Sequence, residues 1–287
     1  MSFPSNIRIA DVQVSILGCT EDENWFHNEA YEAFCSNAHP DITLRLHGGV
    51  PRYDLSNPVF ECAPVWTLYQ DENCTSIEIH GGDTTLGEIH SLLSFFKPIQ
   101  QADLYLTQTS TRSFGPFFGP TLELLFVHYL SQDRGLIIHA CGIERNGCGI
   151  LFVGDSGAGK STLARLWDRR NGGHILSDDR IVVRKSEEGF WIYGTPWHGD
   201  AKFASPRKAP LKKIFFLQHG RGNSLADLPK LQAVSNLLTA SFPPHWDAGG
   251  MAFSLALLEE LAGRIPCQRL TFKPDQDAIH FLEENIG

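Results

Sequence analysis

Residues 154–161 read Gly-Asp-Ser-Gly-Ala-Gly-Lys-Ser, a full G-x-x-x-x-G-K-[ST] pattern, and no other stretch narrows the fold of this chain as far. The pattern has meaning only between a strand and a helix. Gly149-Ile150-Leu151-Phe152-Val153 ahead of it is apolar and β-prone, and Lys160 to Trp167 behind it has helical spacing. The glycines let the backbone curl so that successive N–H groups point inward, and the helix start adds the positive end of its dipole. Gly154, Asp155, Ser156, Gly157, Ala158, Gly159, Lys160, Ser161 and Thr162 are therefore the expected nucleotide-binding residues. In such a loop Lys160 reaches β- and γ-phosphate oxygens and the Ser161 hydroxyl ligates Mg2+. A glycine turn that meets a helix by chance is the competing reading, and the strand–loop–helix context argues against it. ATP, or another nucleoside triphosphate, with Mg2+ is the expected cofactor pair.

The 287 residues allow one large or two ordinary domains, and 42% hydrophobic content supplies a core. Lys plus Arg total 24 against 33 Asp plus Glu, a formal charge of −9. With no basic surplus or Lys/Arg run, nucleic acid is not an expected partner. Seven cysteines, scattered and without a Cys-x-x-Cys pair, fit neither a disulfide framework nor zinc spacing. They read as free thiols of a reducing compartment. The first residues lack an apolar signal core, and no stretch approaches the ~20 apolar residues of a membrane span. A cytoplasmic protein without a membrane partner is expected.

Residues 1–115 look like a β-rich module. Strand-like runs occur at 42–46, 65–69, 76–80 and 103–107, with no chemistry-bearing motif among them. Gly115-Pro116-Phe117-Phe118-Gly119-Pro120 is a break, and a second domain is expected over 120–287. There, residues 121–132 read as an apolar helix. Residues 136–141 and 149–153 flank Asn146-Gly147, which favours a type I′ turn, so a hairpin is expected to lead straight into the glycine loop. A second hairpin is expected over 181–183 and 190–193, strands over 211–217 and 269–272, and helices over 231–238, 251–261 and 278–284.

Beyond the loop helix comes His174-Ile175-Leu176-Ser177-Asp178-Asp179-Arg180, with its first acid 18 residues past Lys160. Adjacent acids occur in ordinary polar turns. Beside a phosphate loop they suit phosphoryl transfer, which requires acids near the γ-phosphate. Here the chain resembles the HPr kinase/phosphorylase family and its relatives, which share a core with phosphoenolpyruvate carboxykinases. The resemblance is carried by Ile138-His139-Ala140, by the 154–161 loop and by Gly173-His174-Ile175-Leu176-Ser177-Asp178-Asp179-Arg180, in that order. It spans roughly residues 120–285 and is strongest over 136–184. It implies an α/β fold: an HPr-kinase/PEP-carboxykinase-like P-loop domain behind a β-rich N-terminal module.

What the resemblance implies for roles is a histidine, His139, near a catalytic acid, Asp178, which accepts the proton of the attacking hydroxyl. By the same match Lys160 offsets phosphate charge, and Asp179 shares the metal with Ser161. HPr kinases form hexamers, so a homo-oligomer is implied as well. Thr162 stands where those kinases usually carry Glu, and neither the N-terminal half nor an HPr-engaging C-terminal segment matches. The chain looks more like the HPr-kinase-related proteins of peptide-modification clusters. The expected activity is transfer of the ATP γ-phosphoryl group to a hydroxyl of a peptide, protein or small molecule. A nucleotide-gated binding module or ATPase without phosphoryl transfer is the alternative. Gly194-Thr195-Pro196-Trp197-His198-Gly199-Asp200, followed by Lys202 and Arg207, reads equally as a loop bordering this site or as a Trp-anchored structural turn. Pro243-Pro244-His245-Trp246-Asp247 reads as structural, and Arg180 as a partner that fixes the Asp179 turn.

Overall fold

Cys74 to His80 alternates side chain by side chain, with Thr75, Ile77 and Ile79 buried and the intervening residues half-buried, the signature of a strand packed on one face. In the computed structural model of this protein that pattern belongs to an eight-stranded sheet. The structure describes residues 6–18, 29–49, 51, 55, 57–72, 74–80, 89–106, 120–170 and 172–286. The expected break at 115–119 and Cys19 lie outside them. The chain is mixed α/β and divides into two compact units, residues 1–126 and 127–287, whose boundary falls inside helix α2 (Pro120–Leu130) rather than at 115–120.

The first unit holds β1 (Asn6–Ile9), β2 (Val12–Leu17), α1 (Glu29–Glu32), β3 (Ile42–Gly48), β4 (Phe60–Cys62), β5 (Trp66–Asp71), β6 (Cys74–His80), β7 (Ile89–Phe96) and β8 (Gln101–Leu106). Its sheet runs β1-β2-β3-β8-β7-β6-β5-β4. β2, β3 and β8 are parallel neighbours, whereas β5 to β8 form an antiparallel meander. One face carries Leu44, Leu46, Ala102, Leu104, Ile77 and Leu93 into the core. The other carries cross-strand polar pairs. Arg45 Nε and Nη2 donate to the two Asp103 oxygens at 2.8 Å each, and His47 Nε2 lies 2.7 Å from Asp103 Oδ1. The His47 ring stacks on Tyr105.

The second unit holds β9 (Leu136–Arg145), β10 (Cys148–Val153), α3 (Lys160–Asp168), β11 (His174–Ser177), β12 (Arg180–Ser186), β13 (Gly189–Tyr193), β14 (Lys208–His219), β15 (Ser224–Asp227), α4 (Lys230–Thr239), α5 (Ala248–Arg264), β16 (Cys267–Phe272) and α6 (Gln276–Ile286). The Asn146-Gly147 turn closes β9 onto β10 with both residues at positive φ, +50° and +77°, as a type I′ turn requires. β10 then has an antiparallel neighbour in β9 and a parallel one in β14, which in turn pairs parallel with β16. The expected 181–183/190–193 hairpin is β12–β13.

Alternation along the central strands sorts the core into two layers. Leu151, Val153, Ile214 and Phe216 pack with Ala233, Leu237, Leu258 and Leu261 of α4 and α5. Ile150, Phe152 and Phe215 pack with Leu163 and Trp167 of α3 and with Ile279 and Leu282 of α6. Burying a side chain such as Trp167 or Phe152 stabilises by about 2–3 kcal/mol each, so α3 and the loop that starts it are held against the sheet by its apolar face. Among the described residues no helix is long and apolar enough to cross a membrane.

The Asp103 cluster generates a pH-dependent expectation. Burial pushes the Asp103 carboxyl up, but hydrogen bonds from Arg45 and His47 outweigh it and hold the value below the usual 3.8. A depressed folded-state value contributes stability that is full above 3.8 and is lost as pH falls through the depressed value. At pH ~7, Asp103→Asn is expected to cost about 1 kcal/mol, a figure kept small because Arg45 is half-exposed. The gap to the wild type should close as the urea titration is repeated at lower pH.

Candidate functional site

The loop of residues 154–159 leaves the C-terminal end of β10, between β9 and β14, and enters α3 at Lys160. Gly159 caps the helix at φ +98°, a left-handed conformation that favours glycine. The Ala158 N–H donates to the Asp155 carbonyl at 3.0 Å, and Gly157 sits between them at φ +80°, the arrangement of a type II turn. Lys160 is only 6% exposed. Its Nζ donates to the Gly154 and Asp155 carbonyls at 2.6 and 3.0 Å. Burial lowers the Lys160 pKa from its ordinary value, opposed chiefly by the carboxylate of Asp179.

The two adjacent aspartates lie in the turn between β11 and β12, and the fold treats them differently. Asp178 is 1% exposed. Its Oδ1 accepts from the backbone N–H of Gly199 (3.1 Å) and Phe203 (3.2 Å), and its Oδ2 from the N–H of Ala201 (2.9 Å) and the Ser161 hydroxyl (2.9 Å). Asp179 is 26% exposed at its side chain and faces His139, whose Nε2 lies 2.9 Å from Asp179 Oδ1. The other Asp179 oxygen pairs with Arg180, whose guanidinium also lies over the Phe242 ring. Burial would raise the Asp179 pKa. The His139 hydrogen bond and the charges of Arg180, His139 and Lys160 overcome it and keep the carboxyl below the usual range.

Register explains how His139 arrives there. It pairs with Arg180 across β9 and β12, and the next residue, Ala140, pairs with Val153, the last residue before the loop. One strand thus carries the histidine to the acid turn and to the loop entrance. Ser177 fixes the turn: its hydroxyl accepts from the N–H groups of Asp179 and Arg180 and donates to the Trp197 carbonyl. A cavity of about 420 Å3 results, with His139, Lys160, Ser161, Arg165, Asp179 and Gly199 in its wall. Ser156, Gly157, Gly159 and Thr162 line it too, whereas Asp178 does not.

The 194–207 segment closes one side. Gly199 approaches the aspartates so closely that an added Cβ would stand 2.9 Å from Asp178 Oδ2 and 3.2 Å from Asp179 Cβ. Asp200 joins Gly199 in the wall, and Arg165 Nη2 donates to the Asp200 carbonyl at 2.7 Å. Trp197 is buried, while Lys202 and Arg207 are exposed and outside the cavity wall. The segment is therefore both an anchored turn and a border of the cavity. Pro243 to Asp247 serves structure: Asp247 caps α5 by accepting from the Gly250 N–H. Cys141, behind the site, is fully buried, and burial pushes its thiol far above the usual range, so it is unreactive.

Sequence reasoning missed Arg165 as a wall residue, whereas Gly199 and Asp200 belong to the loop read from the sequence either as a border of the site or as a structural turn. Arg165 had a signal, since it lies four residues from Ser161 and hence on the same helix face. Among the described residues no three His, Cys, Asp or Glu side chains are grouped to hold a metal by themselves.

A family model described as ScmC, SynChlorMet cassette protein ScmC, matches residues 121–252. No curated protein matches the chain. Among solved structures, the Hpr(Ser) kinase/phosphatase from Coxiella burnetii is similar at 15% identity and a TM-score of 0.31, over 52% of this chain and 95% of that one. That likeness is distant.

The unequal burial of the aspartates leads to an unequal cost of removal. Asp178→Ala strips the acceptor from three backbone N–H groups and is expected to cost about 2–3 kcal/mol. The amides of Gly199, Ala201 and Phe203 should then exchange with deuterium far faster. Asp179→Asn is expected to cost about 1 kcal/mol or less and to leave those amides protected.

Proposed function

We propose that the chain is an ATP- and Mg2+-dependent phosphotransferase whose acceptor is a hydroxyl group. One observation carries the reading. A glycine loop at a helix start, a buried lysine, a serine hydroxyl bonded to a buried carboxylate and a half-buried His–Asp pair all converge on one cavity. Loop N–H groups and the first turn of α3 favour an anionic phosphate chain there, and Lys160 adds a positive charge in a desolvated position.

The donors suit Mg2+. The Ser161 hydroxyl lines the cavity, oriented from behind by Asp178, and offers one hard oxygen; Mg2+ is held by one or two protein oxygens while water and phosphate oxygens fill the rest. When bound there, the ion would neutralise charge on the β- and γ-phosphates. Thr162 and Arg165 extend the wall along the same face of α3, within reach of the remaining phosphate.

Asp179 and His139 are the groups that an incoming hydroxyl would meet. Asp179 is held ionised by its partners, so its carboxylate orients the hydroxyl and takes its proton as the phosphoryl group transfers. His139 stays hydrogen-bonded to it and stabilises that arrangement. In this proposal Asp179 takes the proton-accepting role that the sequence resemblance implied for Asp178. Asp178, whose oxygens are already occupied by donors and turned from the cavity, instead orients the Ser161 hydroxyl. A carboxylate in a loose, largely dissociative transfer acts mainly by positioning, so its low basicity is no obstacle.

The test is transfer of label from γ-32P-ATP with Mg2+ into fractionated lysate of the protein's own cell. Lys160→Ala is expected to lower the rate at least ~10^2-fold. Asp179→Asn is expected to lower transfer to a similar extent while ATP still binds. ATP bound by the wild type with no label in any peptide, protein or metabolite fraction would instead indicate a nucleotide-gated binding module.

A further inference from the structure

His219 is the last residue of β14, and Phe272, its partner in the parallel register, is the last of β16. Both strands end on the side of the sheet where β10 releases the glycine loop, the edge at which open α/β sheets place their ligands. The His219 side chain is exposed, yet it has two defined neighbours. Its Nε2 lies 2.8 Å from the Gly157 carbonyl oxygen, and its ring stacks on Phe272 with centroids 5.9 Å apart and planes 24° from parallel. A carbonyl only accepts, so Nε2 carries the proton and donates. Phe272 is fully buried and presses on the loop from below: an added Cβ on Gly159 would stand 2.9 Å from Phe272 Cζ and 3.5 Å from His219 Cε1.

We propose that His219 is a positioning residue of the phosphate loop, and that by holding the Gly157 carbonyl it sets the affinity for a polyphosphate. This rests on the nucleotide-binding part of the function proposed above. An anion cradle requires N–H groups facing the ligand, and a carbonyl oxygen swung among them repels the phosphate. Gly157, at positive φ and without a side chain, has little of its own to fix the next peptide. His219 supplies that restraint from outside: Gly157 lines the cavity and His219 does not, so the bond draws the oxygen away from the ligand. Stacking on Phe272, which the sheet and α6 bury, gives the imidazole a fixed bearing. No motif marks His219, because its role depends on a register between strands more than fifty residues from the loop.

The experiment compares equilibrium binding of a fluorescent ATP analogue with Mg2+ to the full chain carrying wild-type His219, His219→Ala or His219→Gln. Pyrophosphate serves as a competitor, and melting temperature is recorded in parallel. The expected result is about five- to tenfold weaker binding of both ATP and pyrophosphate in His219→Ala at an unchanged melting temperature, the effect of one hydrogen bond. His219→Gln, whose amide N–H can replace Nε2–H, should return to within about threefold. Unchanged affinity in His219→Ala overturns the proposal and leaves the proposed function standing, as does equal weakening in both variants. Absence of ATP binding by the wild type overturns both.

Discussion

Four donors converge on the carboxylate of Asp178, and the site exists because they do. Three are backbone N–H groups of one loop and the fourth is the hydroxyl at the start of α3. A buried carboxylate is tolerated only when its oxygens are satisfied in this way. The same bonds that make its burial acceptable clamp three segments together: the β11–β12 turn, the first turn of α3 and the 199–203 loop. Take the carboxylate away and the cavity loses one wall, although no lining residue has changed.

Much of the second unit was legible because its signals are local. The glycine loop, the Asn-Gly hairpin and the apolar spacing of α3, α4, α5 and α6 each operate within a few residues, and the strands and helices lie where those patterns put them. The division between Asp178 and Asp179 was not legible. Neighbouring residues in a turn point in different directions, and which one is buried depends on a loop that begins some twenty residues later. Identical side chains at adjacent positions carry no mark of that choice. Arg165 escaped notice for a related reason, since its meeting with Gly199 and Asp200 at the cavity is set by tertiary contacts rather than by spacing.

In the first unit β3, β5, β6 and β8 could be read from the sequence, but β1, β2, β4, β7 and the order of the strands could not. The meander β5–β8 follows the rule that successive strands pair, while β3 lies beside β8 across nearly sixty residues. Arg45 and Asp103 thereby become cross-strand partners, an ion pair no local pattern announces. Parallel pairing gives no hairpin turn to recognise, so its only trace in sequence is the apolar run of each strand taken singly.

The β9–β10 hairpin has a consequence for the order in which the molecule assembles. His139 and the entrance of the glycine loop are brought side by side by a turn of two residues, and their contact spans little more than a dozen positions of chain. Hairpins of this kind close in about 1–10 μs, whereas pairings such as β10 with β14 bring together segments some sixty residues apart. The half of the cavity built on β9 and β10 is therefore kinetically cheap and belongs to the earliest structure. The half built on residues 199–203 meets Asp178 across 21 to 25 residues, a longer loop than the hairpin closes and a shorter one than the β10–β14 pairing requires.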